Sequence, residues 1–86
     1  MLAGMPREEL REQIRELLRA GRLPRQQQMS TWAGPGLDQP CAACGHAVNP
    51  EDVDLQLEFD GPWQTEVYRF HTGCHAIWEA ERERAA

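Results

Sequence analysis

Two pairs of potential metal ligands, each with two residues between its members, constrain this chain more than any other feature. Cys41 and Cys44 form the first pair, and His71 and Cys74 form the second. Two ligands three residues apart can face one ion, and a second such pair completes a tetrahedral Cys3His set of the kind that binds structural zinc. The sequence therefore predicts a single structural Zn2+ held by these four side chains.

Two further histidines, His46 and His75, compete with His71 for the fourth ligand position. Adjacent side chains point in different directions from a helix, so Cys74 and His75 rarely reach the same ion. His71 and Cys74 instead reproduce the spacing of the first pair. The pattern favours His71, which leaves His75 beside the site or on the surface and His46 as a loop residue or a donor to a sulfur.

The length of the chain, 86 residues, makes metal binding relevant to folding. Because such a short chain buries little apolar surface, a metal often supplies the stability that the core lacks. Three cysteines would leave one thiol unpaired in a disulfide framework, whereas three thiolates and one imidazole fill a zinc site. We therefore expect the metal-binding half to unfold when zinc is removed.

The cysteine usage and the absence of long apolar runs predict a location. Free thiols suit a reducing compartment. No stretch approaches the roughly 20 apolar residues of a membrane span, and the first residues lack an apolar run of signal-peptide length. We expect a cytoplasmic protein with no membrane partner.

The formal net charge of −5 is unevenly distributed. Residues 1–37 contain six Arg and four Glu, whereas residues 38–86 contain three Arg and ten acidic residues. The metal-binding half is therefore acidic, and three thiolates on one divalent ion add about one further negative charge. This charge disfavours polyanion binding by that half.

Residues 1–21 are predicted to contain an amphipathic helix, from about Pro6 to Ala20. Pro6 suits a first helical position, acidic residues follow in the first turn, and Gly21 favours the helix end. A helix with one apolar stripe packs on the metal-binding half, forms a homodimer with a second copy, or docks on another protein. The stripe consists of Leu10, Ile14, Leu17 and Leu18.

Arginines at intervals of four follow another side of the same helix. Such a row is consistent with nucleic-acid binding. Glutamates precede three of these arginines by three residues, so i,i+3 ion pairs on a solvated face are the favoured interpretation. The residues concerned are Arg7, Arg11, Arg15 and Arg19, with Glu8, Glu12 and Glu16.

Residues 22–40 are predicted to be a flexible linker. Gly, Pro and Gln accumulate in this segment, and this composition favours turns or disorder. Met29 and Trp32 are exceptions, and we expect Trp32 to anchor the segment on the neighbouring core.

Residues 41–86 are predicted to form the zinc-binding module. Gly45 suits a tight turn after Cys44, in which backbone amides hydrogen-bond the metal-bound sulfurs. Residues 53–59 alternate between apolar and polar, which predicts a strand with one buried face, and residues 64–70 have the composition of the returning strand of a hairpin. The acidic residues around the first strand, Glu51, Asp52 and Asp54, are expected to be solvated and not to transfer protons.

A helix is predicted over residues 73–84, with Thr72 as its N-cap and Cys74 in its first turn. The free amides of a helix N-terminus stabilise a thiolate at that position. We expect Ile77 and Trp78 to pack on the strands. The residues expected to face solvent are Glu79, Glu81, Arg82 and Glu83.

The order of cysteine turn, hairpin and helix from Cys41 to about Arg84 resembles the treble-clef class of zinc fingers. The ligand spacing, with Trp78 four residues after Cys74, resembles the fingers of poly(ADP-ribose) polymerases and of an associated DNA ligase, which recognise DNA breaks. It is also similar to the first finger of LIM domains, which bind proteins. The whole chain looks like small, uncharacterised bacterial zinc-finger proteins with an N-terminal Arg/Glu helix. The resemblance implies a small α+β fold with a treble-clef-like module after an amphipathic helix.

The favoured function is that of a non-enzymatic zinc-binding protein serving as a protein-interaction or regulatory module. The alternative is a finger that binds DNA ends or single strands, although residues 51–66 contain six acidic residues and no Arg or Lys. A zinc-dependent hydrolase or a redox protein is a further alternative. Four ligands would fill the zinc coordination and leave no open position for a hydrolytic water. The cysteine pair does not open a helix beside a parallel sheet, as redox-active pairs usually do.

Overall fold

A computed structural model describes residues 6–85, and within that range the chain forms a small α+β fold with two helices and five strands. All five of these strands lie between the two helices in the sequence. Neither described helix is long and apolar enough to cross a membrane. In chain order the elements are α1 Arg7–Arg19, β1 Ser30–Pro35, β2 Gln39–Pro40, β3 Ala47–Val48, β4 Val53–Asp60, β5 Thr65–His71 and α2 Thr72–Ala85.

The main sheet is antiparallel, with strand order β1-β4-β5. The predicted hairpin is confirmed as β4 and β5, in which Leu57 and Phe59 point into the core. The register places Asp54 opposite His71 on β5 and opposite Gly34 on β1. Strands β2 and β3 form a separate two-stranded ribbon.

Strand β1 corrects the prediction of a flexible linker over residues 22–40. The local composition does not predict a strand. All six residues of β1 nevertheless pair with β4, so the strand forms through pairing with a distant segment and not through local propensity. Trp32 is 62% exposed, so it does not anchor this segment. The buried Leu23 does so, together with the Nε1–H of Trp78, which donates to the carbonyl oxygen of Pro24 at 3.0 Å.

Helix α1 confirms the predicted N-terminal helix, and its apolar stripe packs within the same chain. Ile14 and Leu18 are buried, and Leu10 and Leu17 are partly buried against the same core. This decides among the three alternatives for the stripe: it is a core face. The prediction that α1 docks on a partner or on a second copy through this stripe therefore does not hold.

Aromatic packing joins α2 to the sheet. Trp78 is fully buried, with its ring centroid 5.9 Å from that of Phe59 and 5.5 Å from that of Phe70. Ile77 is also buried, as the sequence predicted. The rings of Trp78, Phe59 and Phe70 and the apolar stripe of α1 belong to one continuous hydrophobic core.

The contact between α1 and α2 contains a buried acid that the sequence analysis placed in solvent. Glu81 is 4% exposed, and its carboxylate lies 3.1 Å from Nε of Arg15 and 3.6 Å from Nε of Arg11. The helix period alone does not reveal that a second helix covers this side of α2. Arg19 and Glu16 do form the predicted i,i+3 pair.

Candidate metal centre

The structure brings together the four residues predicted as zinc ligands. Cys41, Cys44, His71 and Cys74 each offer one ligand atom, and these atoms all lie within 4.8 Å of one another. Nδ1 of His71 is 3.5 Å from Sγ of Cys44 and 3.9 Å from Sγ of Cys74. Around a tetrahedral zinc ion such atoms are about 3.6–3.8 Å apart, given the usual Zn–S and Zn–N bond lengths. The cluster therefore has the size and chemistry to hold a metal ion.

A tight turn between β2 and β3 presents the first two cysteines. The N–H of Cys41 donates to the carbonyl oxygen of His46 at 2.8 Å, and the N–H of Gly45 donates back to that of Cys41 at 3.0 Å. Gly45 has a φ of 81°, a left-handed conformation that glycine adopts without a Cβ penalty. The N–H of Ala43 lies 3.4 Å from Sγ of Cys41. The predicted glycine turn with an amide–sulfur contact is confirmed.

The other two residues lie where β5 runs directly into α2. His71 is the last residue of β5, and Cys74 is the third residue of α2. The helix begins at Thr72, one residue before the predicted start. A backbone hydrogen bond of 2.7 Å from the N–H of Ala42 to the carbonyl oxygen of Arg69 ties the cysteine turn to β5.

The orientation of the His71 ring suits metal binding through Nδ1. Nε2 lies 3.1 Å from the carbonyl oxygen of Ala47, which can only accept a hydrogen bond. The proton is therefore assigned to Nε2, which leaves the Nδ1 lone pair facing the sulfurs of Cys44 and Cys74.

The two competing histidines lie elsewhere. His46 is exposed and takes part in the cysteine turn through its backbone oxygen. The ring of His75 packs beside Phe70 and Trp78, at centroid distances of 6.2 and 5.8 Å. Among the described residues, the four-membered group contains His71 and neither of these histidines.

The three cysteine sulfurs are close enough to change one another's pKa. A hydrogen bond from the thiol of Cys74 to the sulfur of Cys41 lowers the pKa of Cys41 to about 4 and raises that of Cys74. Burial raises the pKa of Cys44. Three adjacent thiolates repel one another unless a positive ion lies between them, so a divalent metal bound here would displace the thiol protons.

A buried ion pair next to the cluster was missed by the sequence analysis. Asp54 is fully buried, and Nε of Arg69 donates to its Oδ2 at 2.7 Å. The prediction that Asp54 is solvated is wrong: the residue lies on β4, the central strand of the sheet, where it pairs with Gly34 on one side and His71 on the other. The predicted hairpin could have indicated this ion pair, because Asp54 pairs with His71 and Arg69 lies two residues before His71 on the same strand.

No protein-family model, curated protein sequence or solved structure matches the chain. Its class therefore follows from its own geometry. The chain is a small α+β protein whose Cys3His cluster could hold a metal ion.

Proposed function

We propose that this chain is a non-enzymatic zinc-binding protein in which one Zn2+ holds the fold together. The observation that carries the proposal is the convergence of Cys41, Cys44, His71 and Cys74 from the cysteine turn, β5 and α2. Three thiolates and an imidazole in a set of four favour zinc over harder cations. The order of cysteine turn, hairpin and ligand-bearing helix supports assignment to the treble-clef class.

The closed ligand set supports a structural role for the ion. Catalytic zinc keeps one position open for water or substrate, whereas these four side chains fill a tetrahedron. Cys41 and Cys74 are buried, and the carboxylate of Asp54, which pairs with His71 in the sheet, is engaged by Arg69. Hydrolysis would need an exchangeable position and a free general base.

The proposed role of the zinc-stabilised fold is to bind another protein. The stripe of α1 belongs to the core, so the support for this role comes from the sheet. Trp32 and Val67 are 62% and 54% exposed, and both lie on the face of the sheet that points away from the core residue Leu57. Exposed aromatic and aliphatic side chains on one face are typical of interaction sites. The acidic residues of β4 and the following turn argue against nucleic acid at this face.

Native mass spectrometry before and after a chelator tests the zinc site. We expect one zinc ion per chain and loss of helical circular dichroism when it is removed. His71→Ala should lose zinc to a chelator at a concentration that leaves the wild type loaded. His46→Ala is the matched control, because this exposed histidine should leave zinc retention unchanged. A metal-free chain that keeps its circular dichroism would refute the structural role.

Cobalt substitution tests the closed coordination. The Co2+ protein should give the intense visible bands of a four-coordinate thiolate site, and these should not change when azide or cyanide is added. A five-coordinate spectrum, or one that responds to an added anion, would show an open position and restore the enzymatic alternative.

A further inference from the structure

Arginine side chains converge on a cleft between the C-terminal parts of α1 and α2. The cleft has a volume of about 300 Å3. This lies at the lower end of the range for small-molecule sites, which is roughly 300–1,000 Å3. Its lining comprises Arg15, Leu18, Arg19, Arg25, Glu81 and Arg84. Four cations and one anion thus face a space that could hold a small molecule.

Two of these arginines, Arg15 and Arg25, are held in place by hydrogen bonds from Nε, and these bonds do not use the terminal NH2 groups. Nε of Arg15 donates to Oε1 of Glu81 at 3.1 Å. Nε of Arg25 donates to the carbonyl oxygen of Leu18 at 3.2 Å. Each guanidinium is therefore tethered at Nε, and its two NH2 groups remain to bind a ligand. Such tethering reduces the entropy lost on binding.

The charge of the cleft is not neutralised by its own acid. The carboxylate of Glu81 contacts both Arg11 and Arg15, and Arg19 is paired with Glu16. Within residues 6–85, neither Arg25 nor Arg84 forms an ion pair with a carboxylate. The cleft is positive, although the whole chain carries a formal net charge of −5.

We propose that this cleft binds the phosphate group of a small molecule. The planar guanidinium donates two parallel N–H bonds to phosphate oxygens, so several arginines around one space suit a phosphate. Among the described residues that line the cleft, none is aromatic, so nothing is offered for a nucleobase to stack on. Recognition therefore concerns the phosphate and not the group attached to it.

The size and surroundings of the cleft favour a compact anion over a nucleic acid. A nucleic acid needs a continuous basic track along its backbone. Here the neighbouring positions on α1 include Glu12 and Glu16, both exposed, and the C-terminal half of the chain is acidic. These charges repel an extended polyanion. Neither Glu12 nor Glu16 lines the cleft, although Glu16 pairs with the cleft-lining Arg19.

The test is a titration of the full-length, zinc-loaded protein with inorganic pyrophosphate, followed by isothermal calorimetry and by NMR of the arginine Nε–H signals. The solution should contain sodium chloride at about 150 mM to screen weak surface contacts. We expect saturation at one pyrophosphate per chain, with shifts in the Nε–H signals of Arg15 and Arg25. Arg25→Gln/Arg84→Gln should weaken binding at least tenfold, the effect of losing about 1.4 kcal/mol of charge-assisted hydrogen bonds.

Arg7→Gln is the matched control, because Arg7 is exposed in the first turn of α1 and does not line the cleft. It should change the affinity by less than about twofold. Circular dichroism confirms that each variant is folded, and the NMR shifts of the wild type locate binding independently of any variant. ATP should bind about as tightly as pyrophosphate if the phosphates alone are recognised.

Three outcomes would overturn the proposal. Shifts that grow linearly without saturation would mark an adventitious ion only. Equal weakening by Arg7→Gln would show general charge attraction. Tighter binding of a single-stranded oligonucleotide, equally sensitive to Arg7→Gln, would show a polymer-binding surface. The cleft shares no residue with the Cys3His cluster, so a failure here leaves the proposed function intact.

Discussion

The buried pair of Asp54 and Arg69 gives the sharpest stability prediction, because its two members differ in exposure. Asp54 is 0% exposed and its Oδ1 has no hydrogen-bond partner among the described residues, whereas the Arg69 side chain is 24% exposed. Removal of Arg69 leaves a buried carboxylate with no counter-ion. Removal of Asp54 leaves a guanidinium that can turn towards water. The two alanine variants should therefore be unequal.

The magnitudes follow from these environments. Arg69→Ala should lower the free energy of unfolding by about 3–5 kcal/mol, the usual effect of stranding a buried charge. Asp54→Ala should lower it by about 1–2 kcal/mol, because the remaining cation regains solvent. The double variant should be more stable than Arg69→Ala by at least about 1 kcal/mol. A protein of 86 residues typically has about 4–13 kcal/mol in total, so Arg69→Ala removes a large share.

Chemical denaturation of the zinc-loaded protein measures these differences, with free zinc held constant so that metal binding does not vary between variants. Fluorescence is a suitable signal, since Trp78 is fully buried and becomes solvated on unfolding. Arg22→Ala is the control, because Arg22 is exposed and should change stability by less than about 0.5 kcal/mol. Equal losses for the two single variants, or a larger loss for Asp54→Ala, would contradict the reasoning.

Two further predictions concern the packing of Gly36 beside the end of β3 and the binding of the metal. Gly36→Ala should destabilise the protein by about 3 kcal/mol in denaturant melts, because the new Cβ would overlap the backbone carbonyls of Val48 and Asn49. Gly34→Ala is the control, and it should be nearly neutral because the space around its Cβ is open. Equal loss of stability in the two variants would refute this prediction. Zinc affinity should fall about a hundredfold per pH unit below neutrality, because the raised pKa values of Cys44 and Cys74 mean that at least two protons must leave on binding. A chelator competition series between pH 6 and pH 7.5 measures the slope, and displacement of one proton or fewer would count against the proposed ligand set.

The elements that the sequence predicted well are those with a local cause. Ligand spacing, the left-handed Gly45, the alternation in β4 and the stripe of α1 each act within a few residues. Features of this kind can be read from residue spacing and periodicity in the sequence. The same is true of the grouping of His71 with the cysteines, which follows from a repeated spacing.

The features that the sequence analysis missed all depend on a partner far along the chain. β1 exists because β4 offers a ladder, and the glycine and proline content of the segment points the other way. Asp54 and Glu81 look like solvated acids in any local window. Asp54 lies on the central strand of the sheet and Glu81 faces α1, and their charges are satisfied by arginines 15 and 66 residues away in the sequence. Charge–charge pairing across elements leaves no periodic signature.

The pairing of β1 with β4 also decides how this fold can be divided. A fragment beginning at Cys41 would carry all four candidate ligands, yet it would turn β4 into an edge strand with unpaired backbone groups along one side. It would also remove the Pro24 carbonyl that accepts the Trp78 hydrogen bond. We therefore expect the candidate metal centre to depend on residues ahead of Cys41, because β1 belongs to the same sheet as the strand that carries His71.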